Sequence, residues 1–277
     1  MEIHRGLRAN LQFENPAVVT ITRDSDDTNV DAGSTIVIEE KNVFELTGDL
    51  IPEVDILNIT WKDEEGTHIK QIEVVGDFVC TVQEIEKFLE VEAKNEEEYD
   101  QAEIEEQRER ATRDIEAACW DAFRHRYCQE RLSGENRPAL VLRNRHVVKV
   151  LAVVVNGVSW DESEIDELVL TSIGLERANT NSWGDPLYPM WPEGRNNIVV
   201  SYVYGHENYP SAINPVVELA ASYLMPKPND KYGRATSAFD VTTGTNYKLV
   251  TAGEKGARFN VPSVNAFVEA NEVLRFV

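Results

Sequence analysis

The chain has 277 residues, 42% hydrophobic and 27% charged, which is enough apolar material for an ordinary core and enough length for two domains. Its formal charge is −22, and residues 1–109 hold 29 acids against 9 bases while residues 110–277 hold 20 against 18. A field of that sign excludes general DNA binding by the first part, and no run reaches the ~18 apolar residues of a membrane helix.

Met1-Glu2-Ile3-His4-Arg5 lacks the apolar stretch of a secretion signal, so synthesis in a cytoplasm-like compartment is expected. Residues 9 to about 82 read as β structure. Short alternating or β-branched runs at Ala17–Thr22, Ser34–Ile38, Val54–Trp61, Ile69–Val75 and Phe78–Val82 are separated by turn-rich Asp, Asn and Gly clusters. In the Val54–Trp61 run, Leu57, Ile59 and Trp61 fall on one face, as a half-buried strand requires. Asp63-Glu-Glu-Gly66 marks a hairpin turn into the next run. About seven short strands in about 75 residues predict a small, immunoglobulin-like β-sandwich over residues 1–83.

Residues 84–109 hold twelve Asp or Glu against three Lys or Arg. Residues 84–98 read as an acidic linker, and the remainder as the entry to a helix. From Tyr99 to Tyr127, Ile104, Ala111, Ile115, Ala118, Cys119, Ala122 and Phe123 recur at three- and four-residue steps. That spacing predicts a long amphipathic helix stopping near Leu132-Ser-Gly134.

Strands return with Ala139–Leu142 and His146–Val155, the latter leading into Asn156-Gly157, a strong hairpin signal. Leu168–Leu170, Gly174-Leu175 and Asn197–Tyr204 continue them. The loop from Trp183 to Gly194 gathers two Trp, one Tyr and three Pro. It either caps its own core, buries at a subunit contact, or offers a ligand platform. Pro210 to Met225 is a second amphipathic helix, ended by Pro226 and Pro228.

No pattern for nucleophilic, phosphate-binding or metal chemistry emerges. The five histidines, His4, His68, His125, His146 and His206, are scattered without ligand spacing, and Cys80, Cys119 and Cys128 form no metal or disulfide framework. Paired carboxylates carry little signal in so acidic a chain. No catalytic, cofactor or metal site is expected, and the protein reads as non-enzymatic. One charge cluster stands out: Arg124, Arg126, Arg131, Arg137, Arg143, Arg145 and Lys149 against only Glu130 and Glu135. It is either a face neutralised by the acidic front of the same or a neighbouring chain, or a contact strip for an acidic partner or passing DNA.

After Asn229 the chain is polar and Gly-containing, with Tyr247-Lys-Leu-Val-Thr-Ala-Gly253, Gly256-Ala-Arg-Phe259, Val261-Pro262 and Val264-Asn-Ala266 before the final Phe267–Val277. It reads as a mostly extended arm with no core of its own, ordered by lying on another surface. These residues, with Phe123-Arg-His-Arg-Tyr127, Glu130-Arg-Leu-Ser-Gly134, Val153-Val-Val-Asn-Gly-Val158, Trp191–Val200, Tyr202-Val-Tyr-Gly-His206 and Leu249-Val-Thr-Ala-Gly253, resemble the head–tail connector (adaptor) proteins of long-tailed phages, especially those of actinobacteria. The front module, ending in Ile72–Phe78, also looks like the leading domain some of these adaptors carry.

The resemblance implies an α+β chain: a front sandwich joined to a helical connector domain (99–228) with an inserted β-hairpin (139–204) and an extended C-terminal arm (229–277). It implies a ring of twelve copies on the portal protein at the virion neck, above a next neck or tail-completion protein. DNA passes through without specific binding, and no membrane is involved. Tyr247, Leu249, Val250, Phe259, Val261, Pro262, Val264 and Phe267 would dock on the portal, so truncation at residue 240 is expected to leave a folded protein that no longer binds it. Ile104, Ala111, Ile115, Phe123, Trp183 and Trp191 would line the ring interface, and Arg124, Arg126, Arg131, Arg143 and Arg145 an acidic partner. A different reading makes the front sandwich an adhesion or ligand-binding module mounted on an assembly.

Overall fold

A computed structural model describes residues 2–5, 9–13, 18–26, 29–30, 36–38, 41–46, 51–62, 66–91, 99–172, 174–177, 179–180, 186–187, 189–206, 209–225, 237–240, 245–248 and 258–272. The front of the chain forms β1 (Glu2–His4), β2 (Ala9–Phe13), β3 (Val18–Arg23), β4 (Ile36–Ile38), β5 (Lys41–Leu46), β6 (Asp55–Lys62) and β7 (Thr67–Val75). Two sheets result, ordered β1-β7-β6-β3 and β2-β5-β4. The hairpin β6–β7 is in register from Asp55↔Val74 to Lys62↔Thr67, and β1 runs parallel to β7. Period-two alternation buries Leu57, Ile59, Ile72 and Val74, which meet Leu11 and Leu46 of the other sheet in one apolar core. Each such side chain contributes roughly 1.5–3 kcal/mol on leaving water.

Next come α1 (Val82–Val91) and α2 (Gln101–Cys119). Phe78–Val82 is therefore not a strand, and residues 84–91 of the expected linker are helix. The signal was present in the sequence: Thr81 and Glu84 form a reciprocal capping box, with Glu84 N donating to Thr81 Oγ1 at 3.2 Å and Thr81 N to Glu84 Oε2 at 2.7 Å. Val82, Ile85 and Leu89 then bury one face. The helix expected to run through Tyr127 and stop near Leu132 ends at Cys119. Trp120 takes the left-handed conformation at φ 56°, and the Glu116 carboxylate accepts from Phe123 N at 2.9 Å, turning the chain out of the helix. No glycine or proline announces that stop.

The expected hairpin is a larger insertion. It comprises β8 (Arg126–Gly134), β9 (Ala139–Val141), β10 (Val147–Val155), β11 (Val158–Ser159), α3 (Glu162–Asp166), β12 (Leu168–Leu170), β13 (Gly174–Arg177), β14 (Asn179–Thr180), β15 (Pro186–Leu187) and β16 (Gly194–Tyr204). The principal sheets are β11-β10-β16-β8 and β12-β13-β9. Leu132-Ser-Gly134 closes β8, not a helix. Asn156 and Gly157, at φ 52° and 82°, make the predicted tight turn between β10 and β11.

The chain finishes with α4 (Pro210–Leu224), the hairpin β17 (Ser237–Asp240) and β18 (Thr245–Lys248), and α5 (Pro262–Asn271). Two compact units emerge: Met1–Asp77 with Arg124–Glu207, whose described elements are strands and α3, and Phe78–Phe123 with Asn208–Val277, whose described elements are mainly helices. No described helix is long and apolar enough to cross a membrane.

Candidate interaction surfaces

Within the β unit, the two ends of the basic strip differ in kind. The Arg124 side chain is 1% exposed and its Nη2 lies 2.8 Å from Glu2 Oε2. Arg126 reaches both Glu73 oxygens, at 2.7 and 2.8 Å, and Glu2 Oε1 at 3.2 Å. Glu2 sits on β1 and Glu73 on β7 directly opposite it, so their like charges converge where the two arginines enter. A cross-strand pair of carboxylates on β1 and β7 thus meets Arg124 and Arg126, alternate residues at the lead into β8. Beside this joint, Gly76 N donates to the His125 carbonyl at 2.8 Å, and a Cβ on Gly76 would stand 2.9 Å from His125 N. Only glycine permits that approach.

The expectation of an external acidic partner is therefore corrected for Arg124 and Arg126: their carboxylates come from the same chain's acidic front. The physical reason is desolvation, since a guanidinium this deep needs a charge in contact. Arg131, Arg143 and Arg145 are exposed, and they remain the accessible part of the strip. Nearby, the buried Tyr202 hydroxyl donates to the Glu130 carboxylate and accepts from Asn144 Nδ2 at 3.1 Å, while Arg143 N donates to Glu130 Oε1 at 3.0 Å. Burial and that carboxylate push the Tyr202 phenol upward, so it stays a protonated donor. These bonds tie β8, β16 and the segment before β10 together.

Trp191, expected at a ring contact, is 1% exposed and stacks on Trp160 with centroids 5.3 Å apart, inside the core formed with Leu140, Leu175, Ile198 and Val200. The aromatic loop caps its own core at this residue. Trp183 lies outside the described residues.

The helical unit redirects more of the expected surface. Ile104, Ala111, Ile115 and Phe123 are all buried in a core that joins α1, α2, α4 and α5. As ring-contact residues they are corrected: a helix with one apolar stripe spends it on its own neighbours first. The expectation that the end of the chain has no home within its subunit is overturned for residues 258–272. Val264 and Val268, one helical turn apart, are 0% and 4% exposed in the same core. Phe259, Val261 and Phe267 pack beside them, and Phe267 tilts onto Phe123 at 5.5 Å. Pro262 opens α5 at its first turn. Asn265 ties the preceding turn, accepting from Arg258 N and Phe259 N at 2.9 and 3.0 Å and donating to the Phe259 and Val261 carbonyls. Arg258 in turn donates to the Ala118 carbonyl at the end of α2. Tyr247 lies on β18; Leu249 and Val250 lie outside the described residues.

Burial pushes the Cys80 and Cys119 thiols up to about 12 and raises Cys128, so none is an activated nucleophile.

Neither a protein-family model nor a curated protein matches the sequence. Among solved structures, the chain is similar to a chain from the neck of an empty GTA particle computed with C6 symmetry, at 17% identity and TM-score 0.45, over 72% of this chain and 92% of that one. It is similar to a chain from the virion of a native gene transfer agent (GTA) particle at 15% identity and TM-score 0.44, with the same coverage of 72% and 92%. A chimeric titin Z1Z2 aligns with 28% of this chain and 84% of its own at 10% identity and TM-score 0.21. Similarity at these levels carries no functional assignment.

Proposed function

We propose that the protein is a structural, non-enzymatic component of a phage-like virion neck: a head–tail adaptor, made in the host cytoplasm, that forms a ring of about twelve copies on the portal. The observation that carries this is the way the helical unit is opened. Its chain leaves after Phe123 and returns at Asn208, with a β insertion between, and the Phe123 and Tyr209 rings stack 5.1 Å apart where the two ends meet. A helical core interrupted by a β insertion is the organisation that the adaptor resemblance in the sequence implies. DNA would pass through the ring without specific contacts, consistent with a chain that carries net negative charge.

Because residues 258–272 belong to their own core, portal docking falls to the stretch from about Asn229 to Gly256, including Tyr247, Leu249 and Val250. The exposed Arg131, Arg143 and Arg145 would meet an acidic neighbour, either the next copy or the next neck or tail-completion protein. The test uses the full chain and a variant lacking residues 241–256. Both should melt alike, and only the full chain should be retained by the portal protein. Equal retention removes the arm assignment; failure of the full chain to form any ring on the portal, seen by electron microscopy, removes the adaptor reading.

A second reading rests on the front module. The order β3-β6-β7 in one sheet and β2-β5-β4 in the other follows the C-F-G and B-E-D order of immunoglobulin-type domains, and such a module could carry a ligand for a host surface. Binding of the full chain to host cells, abolished by substitutions confined to residues 1–77, would favour it.

A further inference from the structure

The segments that flank β10 and β16 each carry one histidine, and antiparallel pairing sets them side by side. Val147 is in register with Tyr204, and just beyond this pair Gly205 N donates to the His146 carbonyl at 3.0 Å. The His146 and His206 rings lie 4.0 Å apart between centroids at an interplanar angle of 40°. One ligand nitrogen of each lies within 4.8 Å of the other. His146 is exposed and His206 half-buried, so an ion can reach both from solvent.

The backbone is shaped for this approach. His146 holds φ 54° and Gly205 holds φ 106°. A histidine in the left-handed region is uncommon and costs conformational energy that a plain strand end would not incur. Here the two left-handed residues face each other across the ladder, joined by the Gly205 N to His146 carbonyl bond. Neither β10 nor β16 is an edge strand, so the pair sits at the end of the sheet's central ladder.

We propose that His146 and His206 form a two-imidazole binding site for a divalent transition metal ion of the imidazole-preferring class, Cu²⁺, Ni²⁺ or Zn²⁺, with water in the remaining positions. Metal–nitrogen bonds of about 2.0–2.1 Å require the two nitrogens to come within roughly 3–4 Å of each other. Rotation of the exposed His146 ring supplies that adjustment without moving the strands. The bound ion clips the start of β10 to the end of β16 and closes the ladder at the point where the Gly205 N to His146 carbonyl bond is its last rung.

The test uses the untagged full chain, stripped with chelator and titrated with Cu²⁺ or Ni²⁺ alone. One ion per chain should bind, the Cu²⁺ form should give a paramagnetic-resonance signature of two equatorial nitrogens, and the melting temperature should rise with metal concentration. His146→Asn keeps a residue that tolerates the left-handed backbone while removing the imidazole. That variant and His206→Ala should each lose the chelate advantage, a drop of roughly 100-fold or more in affinity. His68→Ala, whose ring stacks on Trp61 at 5.2 Å, should bind like the parent. If the parent binds no more tightly than either single variant, or the Cu²⁺ signature shows one nitrogen, the two rings are an aromatic contact only and the proposal falls. A melting temperature for His146→Asn near the parent's in the absence of metal separates loss of the ligand from loss of the fold.

Discussion

At the scale of residues, a few charges are largely shielded from water. Arg124, whose side chain is 1% exposed, is held by Glu2 at 2.8 Å, and removing that carboxylate takes a contacting negative charge away from a buried guanidinium. Glu2→Gln should therefore lower stability by about 3 kcal/mol, read from urea unfolding, with strong coupling to Arg124→Met in a double-mutant cycle. A cost below about 1 kcal/mol would place the pair among ordinary surface salt bridges. Asp55 acts in the opposite sense. Burial raises its carboxyl above the usual range, against hydrogen bonds from Ser25 and Ile56 and the charge of Arg23. A folded-state value above the unfolded one means that its contribution is fully present at pH below the unfolded value and is lost as pH rises through the folded one. Stability of the parent relative to Asp55→Asn should accordingly improve as pH falls from about 7 towards about 4; no change in that difference would mean that Asp55 titrates as it does in the unfolded chain.

Among the elements, α5 shows how a short helix can be secured from both ends. Ten residues are too few for a helix to persist alone. It holds because Val264 and Val268 enter the core and because Asn265 and Arg258 fix the turn before it. Val264→Ala should cost about 2 kcal/mol through the cavity it leaves. Asn265→Ala should instead act locally, accelerating hydrogen exchange across residues 262–271 while leaving the slowest amides of α2 and α4 unchanged. Parallel acceleration in all three helices would mean that α5 is part of the global folding unit with no separate opening. Truncation at residue 240 is thus no clean test of docking, since it also removes two core residues.

For the whole molecule, the insertion makes a strong demand. The helical unit is built from two stretches of chain 84 residues apart, Phe78–Phe123 and Asn208–Val277, yet it has one continuous core. With Phe123 and Tyr209 in contact, a Gly/Ser linker of a few residues can replace 124–207 in a chain that begins at Phe78 and so carries the helical unit alone. The resulting chain should be soluble, helical by circular dichroism and unfold in one transition. An unfolded or aggregating product would show that the helical unit depends on the insertion. In the adaptor reading this independence lets the insertion serve contacts while the helices hold the ring.

Much of this was legible from local pattern. The β6 alternation at Leu57, Ile59 and Trp61, the 3.6-residue stripe through Ile104, Ala111 and Ile115, the Asn156-Gly157 turn and the extent of α4 all follow from periods and turn chemistry that a few neighbouring residues determine. Thr81 and Glu84 were also readable as a helix start, but the acidic run that follows them masked the cap. Other features have no local signature. Ala118-Cys-Trp-Asp-Ala122 would continue a helix, but the Glu116 carboxylate bonds Phe123 N and the Phe123 ring packs on Tyr209 and Phe267. Val264 and Val268 look like sparse anchors of an arm until a groove between helices far apart in sequence receives them. Arg124 meets Glu2 across 122 residues, and His146 meets His206 only because β10 and β16 pair. Sequence by itself determined which segments could be strand or helix, because those preferences are set within a turn or two. Tertiary structure alone decided which faces were already occupied, because burial is a property of partners that the chain brings together from a distance.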